Sequence, residues 1–222
     1  MLELPPLSLY IHIPWCVKKC PYCDFNSHEA PAGIPEQEYI EVLCQDFDRD
    51  YALCQGRPLQ SIFIGGGTPS LFSAAAFDTL LEHIRSNSKL GSEAEITLEA
   101  NPGTAEAEKF ADYFSAGINR LSIGVQSFDD AQLKKLGRIH SSDESRRAIE
   151  FARKAGFENF NLDLMHGLPG QTVAAAIADL QVALGFSPLH ISWYQLTIEP
   201  NTVFYARPPS LPDESVLSSL EC

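Results

Sequence analysis

The segment Leu7-Ser8-Leu9-Tyr10-Ile11-His12-Ile13-Pro14-Trp15-Cys16-Val17-Lys18-Lys19-Cys20-Pro21-Tyr22-Cys23 joins an apolar run directly to three cysteines. Its first seven residues predict a β-strand, because apolar and β-branched side chains dominate them. The cysteines then begin a loop that runs to about Pro35. In α/β sheets and barrels, active sites form in the loops that follow the carboxyl ends of strands. The segment therefore predicts a strand that delivers reactive side chains to such an end.

Strand and helix patterns alternate along the next 180 residues or so. Strands are expected at Leu7–Ile13, Ser61–Ile64, Ala94–Leu98, Arg120–Val125, Phe160–Met165 and Leu189–Leu196. Helices are expected at Glu36–Gln55, Ser73–Ser86, Ala105–Ser115, Asp129–Leu136, Ser142–Ala155 and Val173–Leu184. Strands separated by helices imply parallel pairing through crossover connections. The fold class is therefore α/β, and both a partial (β/α) barrel and a doubly wound sheet are compatible with the pattern.

The first 200 residues contain no linker or change of composition, and we interpret residues 1–200 as one core domain. Residues 201–222 read as a proline-rich loop, with Pro208-Pro209, followed by a helix start at Pro212-Asp213-Glu214, with Asp213 as its cap. The chain stops about two turns into that helix. We therefore expect that a C-terminal region is missing.

Composition restricts the classes of protein to consider. The 222 residues carry 29 acidic and 16 basic side chains, a formal charge of −13, which disfavours nucleic acid as the main partner. The first six residues lack the features of a secretory signal, and no apolar run approaches the roughly 20 residues of a transmembrane segment. These features predict a cytoplasmic protein with reduced thiols, in which clustered cysteines bind metal.

The three clustered cysteines suggest an iron–sulfur site. Cys16, Cys20 and Cys23 can ligate three irons of a [4Fe–4S] cluster, which leaves the fourth iron open to a small chelator. The alternatives are unligated thiols and structural zinc, for which His12 or His28 would have to complete the usual four ligands. The other three thiols are interpreted differently: Cys44 and Cys54 as packing residues on one helix, and Cys222 as a terminal thiol.

The spacing of these cysteines, with an aromatic residue before the last, resembles the signature of the radical S-adenosylmethionine (SAM) superfamily. Within that superfamily, four motifs resemble the oxygen-independent coproporphyrinogen III oxidase family, and Asp24-Phe25 after the last cysteine is closest to its HemW-type heme chaperone branch. The motifs are Ser8–Cys16, Gly65–Ser70, Gly124–Phe128 and Asn161–Pro169. The resemblance implies a partial (β/α)6 TIM-type barrel. It also implies a cluster whose open iron chelates SAM and passes it one electron to release a 5′-deoxyadenosyl radical.

Polar or glycine residues follow most of the predicted strands and are candidates for ligand contacts. Glu99 can accept hydrogen bonds from ribose hydroxyls, although a strand-end role is equally compatible. Gln126 would need a partner if it is buried. Asp163 would either be paired inside the barrel or hold a ligand hydroxyl, and Arg138 alone reads as a solvated surface residue. The resemblance assigns SAM contacts to Tyr10, Tyr22, Gly66, Gly67, Thr68, Glu99, Gln126, Arg138 and Asp163, and no catalytic residue is assigned.

Two functions are compatible with this resemblance. The first is a heme chaperone that passes heme to acceptor proteins. The second is an enzyme that oxidatively decarboxylates two propionates of coproporphyrinogen III. The enzyme branch has a further cysteine where this chain has Phe25, which favours the chaperone. The implied partners are heme or a porphyrinogen, a reductant protein and heme-acceptor proteins. His166 and His190 remain open as heme ligands, and the net charge disfavours a tRNA-modifying enzyme.

Overall fold

A computed structural model describes residues 4–221, so residues 1–3 and the Cys222 thiol lie outside it. Its strands are β1 Leu7–Ile13, β2 Trp15–Cys16, β3 His28–Glu29, β4 Leu59–Gly66, β5 Leu90–Ala100, β6 Arg120–Gln126, β7 Phe160–His166 and β8 His190–Gln195. Its helices are α1 Glu36–Leu53, α2 Ala74–Asn87, α3 Thr104–Ala107, α4 Phe110–Ser115, α5 Asp130–Lys135, α6 Ser142–Lys154, α7 Val173–Gly185, α8 Val203–Ala206 and α9 Glu214–Glu221. Each of the six predicted strands is present.

Six strands form one parallel sheet in the order β1-β4-β5-β6-β7-β8. Within this sheet every strand pairs with the next one along the chain, and a helical connection separates each pair. This order is that of a partial (β/α)6 barrel. A doubly wound sheet would instead reverse direction at a switch point. The predicted barrel is therefore confirmed, and the doubly wound alternative is wrong.

The two faces of the sheet differ in chemistry because side chains alternate along each strand. Residues such as Ile64, Leu98 and Leu162 are fully buried beneath the helices. The opposite face is polar. Register pairs Glu99 with Ser122 and Ser122 with Asn161, so these side chains share that concave face. The core thus lies outside the barrel, and a polar surface is left inside it.

The helices begin at residues that satisfy their free N–H groups. The Ser73 hydroxyl accepts from the Ala76 N–H at the start of α2, and Ser141 and Glu144 form a reciprocal capping box at the start of α6.

The single helix expected at Ala105–Ser115 is divided into α3 and α4. The break places α4 so that the Tyr113 hydroxyl donates to the carbonyls of Ser70 and Phe72, at 2.8 and 2.7 Å.

Residues after 200 pack against the barrel near the cysteine loop. Phe204 of α8 belongs to a second apolar cluster with Met165 and Leu196, and its N–H donates to the Pro21 carbonyl at 2.9 Å. Helix α9 begins at Glu214, as the proline and aspartate before it predicted. The division of the chain at residue 200 stays a prediction. In residues 4–221, no helix has both the length and the apolar character that crossing a membrane requires.

Candidate functional site

A cavity of about 480 Å³ opens at the carboxyl ends of the six sheet strands. All but one of the predicted site residues line it: Cys16, Cys20, Tyr22, Cys23, Gly66, Gly67, Thr68, Glu99, Gln126, Arg138 and Asp163. These residues come from six separate parts of the chain, and parallel pairing brings the strand ends among them to one edge. The structure thus places the three predicted cluster ligands and all but one of the predicted SAM contacts in one cavity.

The cysteine loop is held over the sheet by backbone hydrogen bonds. The Ala30 N–H donates to the Cys16 carbonyl at 2.8 Å, and β2 pairs with β3 so that the loop closes on itself. Lys19 Nζ donates to the carbonyls of Phe25 and Ser27, each at 3.0 Å. All three thiols are partly buried and free of disulfides. The loop is therefore ordered by its own backbone and presents three thiols to the cavity.

His12, on β1, is hydrogen-bonded to the same loop. Its Nε2 lies 2.8 Å from the Asn26 carbonyl oxygen, which can only accept, so Nε2 carries the proton and Nδ1 accepts from the Tyr10 hydroxyl at 2.9 Å. Both nitrogens are therefore occupied. Neither is available as the fourth zinc ligand that the sequence left open.

The thiol arrangement favours a cluster over a single metal ion. Within the described part of the chain, no three His, Cys, Asp or Glu side chains converge as one ion would require. A [4Fe–4S] cluster takes one thiolate per iron and needs no such convergence. Neither of the histidines considered as zinc ligands, His12 and His28, lines the cavity with the three thiols. The residues present thus fit a four-iron cluster.

Polar groups surround the thiols from two sides. Burial raises the pKa of the Cys16 thiol, while hydrogen bonds with the Thr68 and Ser27 hydroxyls act in the opposite direction. Arg138 Nη1 donates to Cys20 Sγ at 3.4 Å. The surface interpretation of Arg138 is therefore wrong, because its guanidinium lies inside the cavity wall. Arg138 can reach this position because the backbone of Gly137, with φ +70°, packs closely against Pro21. A Cβ on residue 137 would lie 2.7 Å from Pro21 Cδ.

Gly66 closes β4 in a conformation that side chains rarely adopt. Its φ is +119°, and a Cβ there would lie 2.7 Å from the His12 ring. Its N–H donates to Glu99 Oε2 at 3.0 Å. This glycine therefore allows β1 and β4 to close together and fixes the carboxylate of β5.

Two carboxylates face the cavity from different strands. Burial raises the pKa of Glu99 to about 7, the Asp163 charge adds to the rise, and the Gly66 N–H opposes it. Burial also raises the pKa of Asp163, although Ser122 Oγ and Asn161 Nδ2 donate to it at 2.8 and 2.9 Å. Both groups can accept hydrogen bonds from hydroxyls, and Glu99 can also hold a proton near neutral pH.

The two tyrosines predicted to contact SAM lie in different environments. Tyr22 lines the cavity, and burial raises the pKa of its hydroxyl. Tyr10 does not line the cavity; its side chain is 57% exposed and bonded to His12. Tyr10 thus lies beside the cavity rather than in its lining, and burial and the nearby Glu99 charge raise the pKa of its hydroxyl.

Three cavity residues that form hydrogen bonds with predicted site residues were not identified from the sequence. Tyr194 donates to Gln126 Oε1 at 2.7 Å, Ser122 donates to Asp163, and Asn101 contacts Thr68 and Arg138. Asn101 directly follows β5, so its position after a strand end was a usable signal. Ser122 and Tyr194 lie within strands, where only the alternation of faces could have indicated them.

The remaining histidines and cysteines lie outside the cavity lining. His166 is buried, with its ring centroid 4.6 Å from that of Trp193. His190 Nδ1 accepts from Arg120 Nη2 at 2.9 Å. Cys44 packs against the core as expected. Cys54 does not lie on the helix face, because α1 ends at Leu53 and Cys54 is its C-cap.

The family profile of the radical SAM superfamily matches residues 10–182. The chain belongs to the radical SAM superfamily. It is 58% identical over 217 residues to the heme chaperone HemW of Escherichia coli K12, covering 98% of this chain and 57% of that relative. It is 59% identical over 221 residues to the heme chaperone HemW of Haemophilus influenzae, covering 98% and 58%. The chain thus spans less than two thirds of the length of these relatives.

A solved structure shows the same architecture in this superfamily. The coproporphyrinogen III oxidase HemN of Escherichia coli superposes with a TM-score of 0.86 at 29% identity, covering 97% of this chain and 50% of that one. The match supports the partial barrel.

Proposed function

We propose that this chain is the cofactor-binding core of a heme chaperone-like radical SAM protein. It holds a [4Fe–4S] cluster and SAM, and the protein delivers heme to acceptor proteins. The observation that carries this proposal is one cavity lined by three thiols of a single loop and by polar strand ends. The names of the relatives supply the heme part of the proposal.

Cys16, Cys20 and Cys23 would hold the cluster. When bound, it would supply an open iron for the amino and carboxylate groups of SAM and one-electron chemistry. Arg138 Nη1 would donate to the Cys20 thiolate, and Arg138 Nε, buried without a hydrogen-bond partner among the described residues, remains free to donate to an acceptor. A buried donor without a partner is costly in an empty site, which supports a bound acceptor there.

Other cavity residues would hold the rest of SAM. Glu99 and Asp163 present acceptors suited to ribose hydroxyls, and Gly66 and Gly67 leave the β4 end free of side chains. Tyr22, Thr68 and Gln126 complete the lining. Tyr10 would act through His12 rather than by direct contact, because its hydroxyl is bonded to that ring.

Phe25 supports the chaperone over the oxidase. It lies two residues after Cys23, is largely exposed, and lines the cavity without a thiol. The alternative function is an oxygen-independent coproporphyrinogen III oxidase, which the 0.86 TM-score with HemN favours. The proposal includes a cytoplasmic location and a reductant protein that supplies the electron, and no nucleic acid is expected as a partner.

Iron uptake under anaerobic conditions tests the cofactor part. We expect about four irons per chain, and Cys16→Ala, Cys20→Ala and Cys23→Ala should each reduce uptake strongly. Cys44→Ala and Cys54→Ala are matched controls, since these thiols lie outside the cavity lining. Equal uptake by all five variants, or tetrahedral zinc without iron, would contradict the proposal.

Heme and porphyrinogen assays separate the two functions. The full chain should bind heme in a spectroscopic titration and pass it to an apo-acceptor. With coproporphyrinogen III, SAM and a reductant, it should form no protoporphyrinogen. Formation of protoporphyrinogen would replace the chaperone with the oxidase and leave the cofactor assignment intact.

A further inference from the structure

Asn101 connects the two sides of the thiol site. It lies directly after β5, and its side chain makes a different hydrogen bond at each end. Its Oδ1 accepts from Arg138 Nη2 at 2.6 Å, and its Nδ2 donates to Thr68 Oγ1 at 3.0 Å. One amide therefore touches two residues that each contact a different cysteine.

The directions of the two Asn101 hydrogen bonds leave Thr68 and Arg138 each with a donor that faces a cysteine. Because Thr68 Oγ1 accepts from Asn101 Nδ2, its own hydroxyl proton is free to point toward the neighbouring Cys16, where the hydroxyl opposes the rise that burial causes in the pKa of the thiol. Arg138 Nη1 points at Cys20 Sγ while Nη2 is held by Asn101 and by the Gly124 carbonyl at 3.2 Å. The order of contacts is Cys16, Thr68, Asn101, Arg138, Cys20.

The backbone of Asn101 is fixed independently of its side chain. Its N–H donates to Glu106 Oε2 at 3.2 Å, and the same carboxylate is hydrogen-bonded to the Ser70 hydroxyl. Lys109 Nζ donates to the Ser70 carbonyl at 3.2 Å. These groups come from α3, the segment after β4 and the start of α4, and Glu106 is itself buried. The backbone of Asn101 is thus fixed by Glu106, and the orientation of its side-chain amide is set by Thr68 and Arg138.

We propose that Asn101 is a positioning residue that directs the Thr68 hydroxyl to Cys16 and the Arg138 guanidinium to Cys20, and so tunes the cluster potential. This inference rests on the proposed cluster. The amide supplies both groups that these bonds need, an acceptor oxygen for the Arg138 guanidinium and an N–H donor for the Thr68 hydroxyl. Hydrogen bonds to cluster sulfurs favour the reduced, more negative state, so they raise the reduction potential.

The test is to measure the reduction potential of the cluster in the reconstituted full chain, by electron paramagnetic resonance of samples poised at a series of potentials. In Asn101→Ala the ratio of reduced to oxidised cluster, measured at the wild-type midpoint, should fall about tenfold. That corresponds to about 59 mV for one electron. The potential is a readout that a merely structural role would not move.

Asn119→Ala is the matched control. Asn119 also makes two side-chain hydrogen bonds, to the Ile96 N–H and the Ala94 carbonyl, but at the opposite end of the sheet. It should change the unfolding midpoint and leave the cluster potential unchanged. Asn101→Asp keeps the size of the side chain in case the alanine variant does not fold. A carboxylate there would accept from Thr68, turn its proton away from Cys16, and lower the potential.

The outcomes are distinguishable from those of the proposed function. If wild type takes up four irons and both Asn101 variants keep the wild-type potential, the inference is overturned and the proposed function stands. If Asn119→Ala shifts the potential as much as Asn101→Ala, the effect is general and the inference is also overturned. If wild type takes up no iron, both fail.

Discussion

Replacing Glu99 by glutamine should stabilise the ligand-free chain at pH 8 while weakening its affinity for SAM. The carboxyl has a pKa of about 7, compared with an ordinary 4.5, because it is buried and faces Asp163. In the folded chain it keeps its proton up to about pH 7, whereas in the unfolded chain it loses the proton near pH 4.5. The folded state therefore binds more protons between these values, and stability is lost as the pH rises through that window.

The magnitude follows from the difference between the two pKa values. A rise from 4.5 to about 7 corresponds to roughly 3 kcal/mol of unfolding free energy, fully lost above pH 7. Glutamine has no charge to desolvate and can still accept from the Gly66 N–H. Glu99→Gln should therefore be about 2–3 kcal/mol more stable than wild type at pH 8, and less than about 1 kcal/mol more stable at pH 5.

Urea unfolding of the SAM-free chain at pH 5 and pH 8 measures this difference. Glu93→Gln is the matched control, because it removes the same charge from an exposed position on the same strand. The control should differ from wild type by less than about 0.5 kcal/mol at both pH values. A Glu99→Gln advantage that is absent at pH 8, or equal at both pH values, would refute the reasoning.

The SAM half of the prediction is measured by calorimetric titration of the reconstituted protein. An ionised carboxylate accepts hydrogen bonds from hydroxyls more strongly than an amide does. Loss of one such bond should weaken SAM binding about tenfold. A more stable variant that binds SAM as tightly as wild type would remove Glu99 from the binding site.

Two further predictions concern the framework of the site. Gly66→Ala should lower the unfolding free energy by at least about 2 kcal/mol in thermal unfolding, because φ is +119° and the new Cβ would meet the His12 ring. In the control Gly91→Ala the new Cβ meets nothing within 4 Å, so the loss should be less than about 1 kcal/mol. Equal losses of stability in the two variants would contradict the close approach of Gly66 to His12. Tyr113→Phe should cost about 1–3 kcal/mol in urea unfolding, because two backbone carbonyls lose their buried donor, and an unchanged midpoint would contradict those bonds.

The fold was predictable from the sequence because its strands are buried on one face and separated by helices. Runs such as Phe160–Met165 have few other interpretations, and parallel pairing follows from the alternation. The break between α3 and α4 was not predictable. It depends on Glu106 reaching Ser70 and on Tyr113 reaching Phe72, which are contacts between distant parts of the chain.

The site was predictable to the extent that its residues lie at strand ends. Glu99, Gln126 and Asp163 line the cavity because each strand carries them to one edge. Without the resemblance Arg138 would have been taken for a solvated surface residue, because its burial depends on Gly137 closing against Pro21. Tyr10 alternates with apolar residues as an inward-facing residue should, yet it is bonded to His12 below the loop. Asn101 was missed because its importance lies in its two partners rather than in its own position.

Mössbauer spectroscopy of the chain reconstituted with ⁵⁷Fe tests the central claim most directly. The account predicts one four-iron cluster held by Cys16, Cys20 and Cys23, with one iron whose signal changes when SAM is added and three whose signals do not. Four irons that all remain unchanged by SAM, or iron bound without these three cysteines, would contradict it.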